Sequence, residues 1–194
     1  MGSSANRVRD RIAEPWLWMG GLGLLSGILS ATIGYDLQLA WLELIAPVFF
    51  LDVGPMPIGF FFGAAIALGF WAWSGTVWAV PVLLVTTMYA WSAAIQLAIR
   101  IQRNAGDDPH LIVASLAAGF AGAALTHLGC ALFARELRRP MRIGMTAIAG
   151  ALAGLLFYAG ERKFIDGRLL FVVWQPLVAA CIGAGLARND HAGI

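Results

Sequence analysis

"LELIAPVFFLDVGPMPIGFFFG", residues 42–63, decides how this chain is threaded. The stretch is almost wholly apolar, yet Glu43 and Asp52 stand in it with no Lys or Arg to pair with. Gly54, Pro55 and Pro57 then interrupt any helix running through it, because proline removes a backbone donor and glycine weakens the helix. Whether residues 36–57 cross a membrane or only touch it fixes the direction of every segment that follows.

Composition explains why a membrane is at issue. The chain has 194 residues, of which 60% are hydrophobic and 12% charged, and its mean hydropathy is +0.77. A soluble domain carries about 25% charged residues. Half that leaves too little polar surface to cover a globule in water. The charges are also segregated into short knots between apolar runs of membrane-spanning length. The expected fold is therefore all-α: a polytopic integral membrane protein with six transmembrane helices in a compact bundle. The spans are read at 16–35, 58–73, 77–99, 110–134, 143–159 and 169–187. The second and fifth look short, which implies burial in the bundle or a locally thin bilayer. Residues 1–15 form a basic leader with Arg7, Arg9 and Arg11, too short for a core of its own and without a signal-peptide cleavage site. Residues 188–194 form a tail.

Local signals mark the helix starts. Glu14-Pro15, Asp108-Pro109 and Arg139-Pro140 put proline in a first turn, where its missing N–H costs nothing. Asp108 in "GDDPH" (106–110) reads as an N-cap. Trp16, Trp18, Trp71, Trp73 and Trp78 lie near span ends, as an interfacial aromatic belt requires.

Orientation follows from the basic residues. Arg7, Arg9 and Arg11 precede the first span, and Arg135, Arg138, Arg139 and Arg142 flank the start of the fifth. Both groups belong on the cytoplasmic side, so an even number of crossings separates them. Four crossings satisfy this when 36–57 does not span. With Arg188, eight of the 13 basic residues are then cytoplasmic, and Arg100, Arg103, Arg162, Lys163 and Arg168 are outside. Residues 36–57 become an interfacial or re-entrant piece on the outer side. A broken helix at membrane depth is tolerated only beside protein or water, and transporters build ion and substrate sites there. The chain is thus expected in a plasma (inner) membrane, multi-pass, with both termini cytoplasmic.

Small residues recur four apart: Gly23 and Gly27, Gly59 and Gly63, Gly150 and Gly154, and two ridges in the fourth span. One ridge is Ala114, Ala118, Gly122 and Thr126, the other Ser115, Gly119, Ala123 and His127. Such ridges let helix backbones approach closely, within one chain or between chains. "VWAVPVL" in the third span and "VVWQPLV" in the sixth share a Trp–Pro pattern, a weak hint of inverted halves.

Few side chains could carry chemistry. The candidates for a substrate or ion path are Asp52, Glu43, His127, Gln175 and Gln96. The acids could bind a cation or proton. His127 ends a small-residue ridge inside a span and could act as a gate or relay, or serve as a hydrogen-bonded core residue. The two glutamines could line a polar path or tie helices together. Cys130 and Cys181 lie in apolar runs and read as small hydrophobes rather than a disulfide. There is no His-x-x-x-His and no Cys-x-x-Cys, so no metal site or cofactor is expected. No Gly-x-Ser-x-Gly, His-Glu-x-x-His or phosphate loop occurs, so the chain is not read as an enzyme. The expected partners are the lipid bilayer and a homo-oligomer or larger membrane complex; nothing suggests nucleic acid. The sequence reading is a small transport or permeation protein, with an accessory subunit of a larger membrane complex as the alternative.

Overall fold

A computed structural model describes residues 14–34, 56–103 and 107–187. The decisive segment 36–57, apart from Met56 and Pro57, lies outside the described residues, as do Glu43, Asp52, most of the leader and the tail. The described residues form six long helices and no strand. They are α1 (Pro15–Leu29, continued as a π-helical turn over Ser30–Gly34), α2 (Met56–Ser74), α3 (Ala79–Arg103), α4 (Asp108–Ala131), α5 (Pro140–Glu161) and α6 (Leu169–Leu186). A 3-10 turn, Arg135–Arg138, sits between α4 and α5. All six helices are long and apolar enough to cross a membrane.

Several local expectations need correction. Pro57 sits in the first turn of α2, the position where proline is harmless; whether Gly54 and Pro55 break a helix lies outside the described residues. The second and fifth spans are not short: α2 has 19 residues and α5 has 22, or about 28 and 33 Å at 1.5 Å per residue. The fifth helix starts a turn earlier than expected, at Pro140, and Arg142 in that first turn donates to the carbonyls of Glu136 and Gly185. The cap of α4 is Asp107, whose Oδ1 accepts from His110 N at 3.2 Å. Asp108 enters the first turn instead and pairs with Arg162 at the start of the α5–α6 connection. Of the expected aromatic belt, Trp16, Trp18, Trp71 and Trp78 are exposed, but Trp73 is buried against Phe70 at a centroid distance of 5.7 Å.

Two ends of the bundle follow from the alternation of directions. The proximal end carries Pro15, Ser74, Ala79, Ala131, Pro140 and Leu186. The distal end carries Gly34, Met56, Arg103, Asp108, Glu161 and Leu169. Each helix packs on the one before and the one after it in the chain, and α6 returns to pack on α1. The six helices thus form a ring in chain order. Phe62, Ile66, Phe70, Leu83, Val178 and Ile182 fill its centre, each at most 1% exposed.

The small-residue ridges are spent on these neighbour contacts within the chain. A Cβ on Gly154 would stand 2.5 Å from the Ser115 carbonyl, and one on Gly119 would strike the Gly150 carbonyl, so α4 and α5 touch backbone to backbone. A Cβ on Gly27 would stand 2.5 Å from the Phe171 carbonyl, and one on Gly23 would stand 2.8 Å from that of Gln175. These contacts set the α1–α6 pairing. Gly59 and Gly63 receive Trp91 and Leu84 of α3. The two Trp–Pro motifs differ in placement. Trp78 precedes α3 and is 82% exposed, whereas Trp174 lies inside α6 and is buried.

Candidate functional site

Near the distal end the ring does not fill its centre. A cavity of about 250 Å³ opens there between α3, α4, α5 and α6. Its position follows from residue size. Ala94 and Ala98 on α3 and Ala118 and Gly119 on α4 leave space that larger side chains would fill. Trp91, Phe157, Phe171 and Trp174 supply its aromatic side. No Asp, Glu, Lys or Arg lines it. Gln102, in the last turn of α3, supplies an amide near the mouth. Ser115 also borders it, but its hydroxyl donates to Leu111 O at 2.7 Å. From Gln102 down to Trp91 is eleven residues of helix, so the cavity runs about 16 Å along α3.

Its floor is an aromatic cluster. Trp91 meets Phe171 and Trp174 at centroid distances of 5.9 and 6.4 Å, and Phe62 meets Trp174 edge-on at 5.3 Å. Trp174 is fixed by its indole N–H, which donates to Gly150 O at 3.1 Å. The Trp91 indole nitrogen is buried and has no hydrogen-bond partner.

The residues singled out from sequence do not meet at this cavity. Gln175 is fully buried and turned to α1. Its Oε1 accepts from Ser26 Oγ at 2.6 Å, and its Nε2 donates to Ser30 Oγ at 3.0 Å. It therefore ties two helices, one of the two roles its sequence position allowed. Gln96 is partly buried on α3 and is not part of the cavity wall. His127 is fully buried near the proximal end, far from the cavity mouth. Its Nε2 lies 3.0 Å from Leu137 O and its Nδ1 2.8 Å from Thr146 Oγ1. A carbonyl only accepts, so Nε2 carries a proton. In the neutral ring Nδ1 then accepts from the Thr146 hydroxyl. Both ring nitrogens are thus committed to joining α4, the 3-10 turn and α5. Asp52 and Glu43 lie outside the described residues.

Cys130 and Cys181 are both free, without a disulfide, and Cys130 is buried. Among the described residues no group of three His, Cys, Asp or Glu could hold a metal. At the distal rim, His110 contacts the Asp107 carboxylate. That hydrogen bond holds the Asp107 carboxyl below its ordinary value.

Sequence reading missed Trp91, Trp174 and the cavity. A signal was available: tryptophans favour span ends, and these two lie within α3 and α6. What converges on them depends on which helices are neighbours, and no span reveals that alone. Compared with known family models, curated proteins and solved structures, the chain finds no match.

Proposed function

We propose that the chain is a small multi-pass membrane protein that binds a small amphipathic solute in the distal cavity and moves it across the bilayer. The observation that carries this reading is the cavity itself, about 250 Å³ of aromatic and aliphatic wall without a charged group. Apolar pockets of this size with a few polar groups are the usual form of small-molecule sites. A wholly apolar solute would cross lipid unaided, so the transported molecule carries polar groups on an apolar body.

Exposed apolar side chains around the ring, among them Leu24, Leu25, Val113, Phe120 and Leu152, suit a lipid surround. On the positive-inside reading, the proximal end is cytoplasmic in a plasma or inner membrane, and the cavity opens outward. The flanks of 36–57 are at that same outer end. Asp52 and Glu43 are proposed to bind a coupling cation or proton there, within an interfacial or re-entrant segment.

The test is uptake by proteoliposomes of a panel of neutral and anionic aromatic amides and acids. At least one is expected to enter faster than into protein-free vesicles, and Ala118→Phe, which fills the cavity from α4, is expected to abolish the difference. Uptake equal to that of empty vesicles, or unaffected by Ala118→Phe, overturns the reading. Loss of the same uptake in the double variant Glu43→Gln, Asp52→Asn would add the ion to the mechanism; unchanged uptake removes it.

A second reading is a subunit of a larger membrane complex. It is favoured by the bare outer stripe of α5, where Met141 is 77% and Met145 60% exposed. Native mass spectrometry from mild detergent separates the two: a stable hetero-complex supports the subunit reading, and a bare monomer removes it.

A further inference from the structure

Hydroxyl side chains inside helices commonly satisfy themselves by donating to a carbonyl one turn back. Ser115 and Thr126 do so, to Leu111 and Gly122. Thr86 reaches Leu83 O at 3.2 Å. Thr87 does not follow them. It is 1% exposed, and its Oγ1 has no partner. One turn nearer the cavity mouth on the same helix is Trp91, whose indole nitrogen is also buried and unpartnered. Among the described residues these are the two buried side-chain polar atoms without a hydrogen bond. Residues four apart share a helix face, and the ring of Trp91 is part of the cavity wall. Buried polar groups are paired in nearly every protein, and an exception calls for a cause.

We propose that Thr87 and Trp91 form the inner, hydrogen-bonding end of the ligand site. The ligand is an uncharged molecule with a flat apolar body and a carbonyl-type acceptor. This rests on the cavity being a ligand site, as proposed above. The ligand class follows from the groups present. An indole N–H can only donate, and a threonine hydroxyl can donate beside it. Two donors select an acceptor oxygen. The absence of any charged side chain in the wall disfavours a carboxylate or ammonium, whose desolvation nothing would offset. The ring faces of Trp91, Phe171 and Trp174 select a flat body. Thr87 is not part of the cavity wall and the Trp91 indole nitrogen is buried, so the ligand reaches both donors only when Trp91 turns. Gly59, against which the Trp91 ring lies, has no side chain to obstruct that turn. The Trp174 ring stays in place through Gly150.

The test compares two probes on the full chain in detergent by equilibrium dialysis: 1-tetralone, and tetralin, the same bicycle without the ketone. Thr87→Val should weaken tetralone about tenfold and leave tetralin unchanged, and Trp91→Phe, which also trims the wall, should weaken tetralone about tenfold more than it weakens tetralin. Thr87→Ser, which restores the hydroxyl, should retain tetralone affinity and guards against a mere folding defect. If the variants weaken both probes alike, or neither, the subsite is wrong although the cavity still binds. A water bridging the two donors would give that result, with only the melting temperature altered. If the unmodified chain binds neither probe, the cavity reading falls and the subsite with it.

Discussion

His127 and Gln175 are both fully buried polar side chains inside spans, yet they differ in what their loss should cost. His127 bonds through both ring nitrogens to two other elements. His127→Ala strands the Leu137 carbonyl and loosens the 3-10 turn, so it should destabilise by about 2–3 kcal/mol. Gln175→Leu removes two hydrogen bonds between α6 and α1, but Ser26 and Ser30 can each turn to a carbonyl of their own helix, so about 1 kcal/mol is expected. Unfolding by denaturing detergent, followed by circular dichroism, would rank the two; the reverse order would refute this account. His127 was legible as an inward-facing residue because it ends a small-residue ridge. Its partners were not, because Leu137 and Thr146 reach it only through the turn between α4 and α5. Trp91 and Thr87 were illegible for a different reason. A missing hydrogen bond is a property of the surroundings and leaves no trace in residue type.

The six long apolar helices were readable because each is an apolar run of membrane-crossing length. The ends were less so. Asp107 rather than Asp108 caps α4, with Pro109 at the second helical position, and two adjacent acids with proline tolerated at either of the first two positions left the choice open. The cap has a pH signature. Asp107 is held below its ordinary value by His110, so its contribution is present above the unfolded carboxyl pKa and is lost as pH falls through the folded one. Amide exchange at the start of α4 should rise in acid below about pH 4. Asp107→Asn should flatten that response; an unaltered profile would show that the cap does not titrate there. The glycine ridges make a stronger claim. At Gly150 a Cβ would collide with Ala123, so Gly150→Val should force α4 and α5 apart and destabilise by about 3 kcal/mol. By contrast, nothing lies within 4 Å of a Cβ on Gly144, and Gly144→Ala should be silent in the same unfolding assay.

At the level of the molecule, the ring order was beyond reach from sequence, although short connections made sequential neighbours natural. Orientation can be read directly. With Cys130 and Cys181 replaced by alanine, single cysteines at Thr76 and Phe164 mark the proximal and distal ends. An impermeant maleimide should label the Phe164→Cys chain in intact cells, and the Thr76→Cys chain only after permeabilisation. The opposite pattern would invert the orientation and put the cavity mouth on the cytoplasmic side.

The closure of α6 on α1 also has a meaning in time. A chain emerging from the ribosome can dock α2 on α1, α3 on α2, and so on, each helix finding its partner already made. α1 alone must wait on one side, with the Gly23–Gly27 groove empty and Ser26 and Ser30 lacking Gln175, until the sixth helix arrives. Until then the nascent protein presents an open seam that a membrane chaperone could shield and a quality-control protease could recognise. A product stopped after Glu161 keeps that seam for good, and cells should clear it quickly while the closed ring persists.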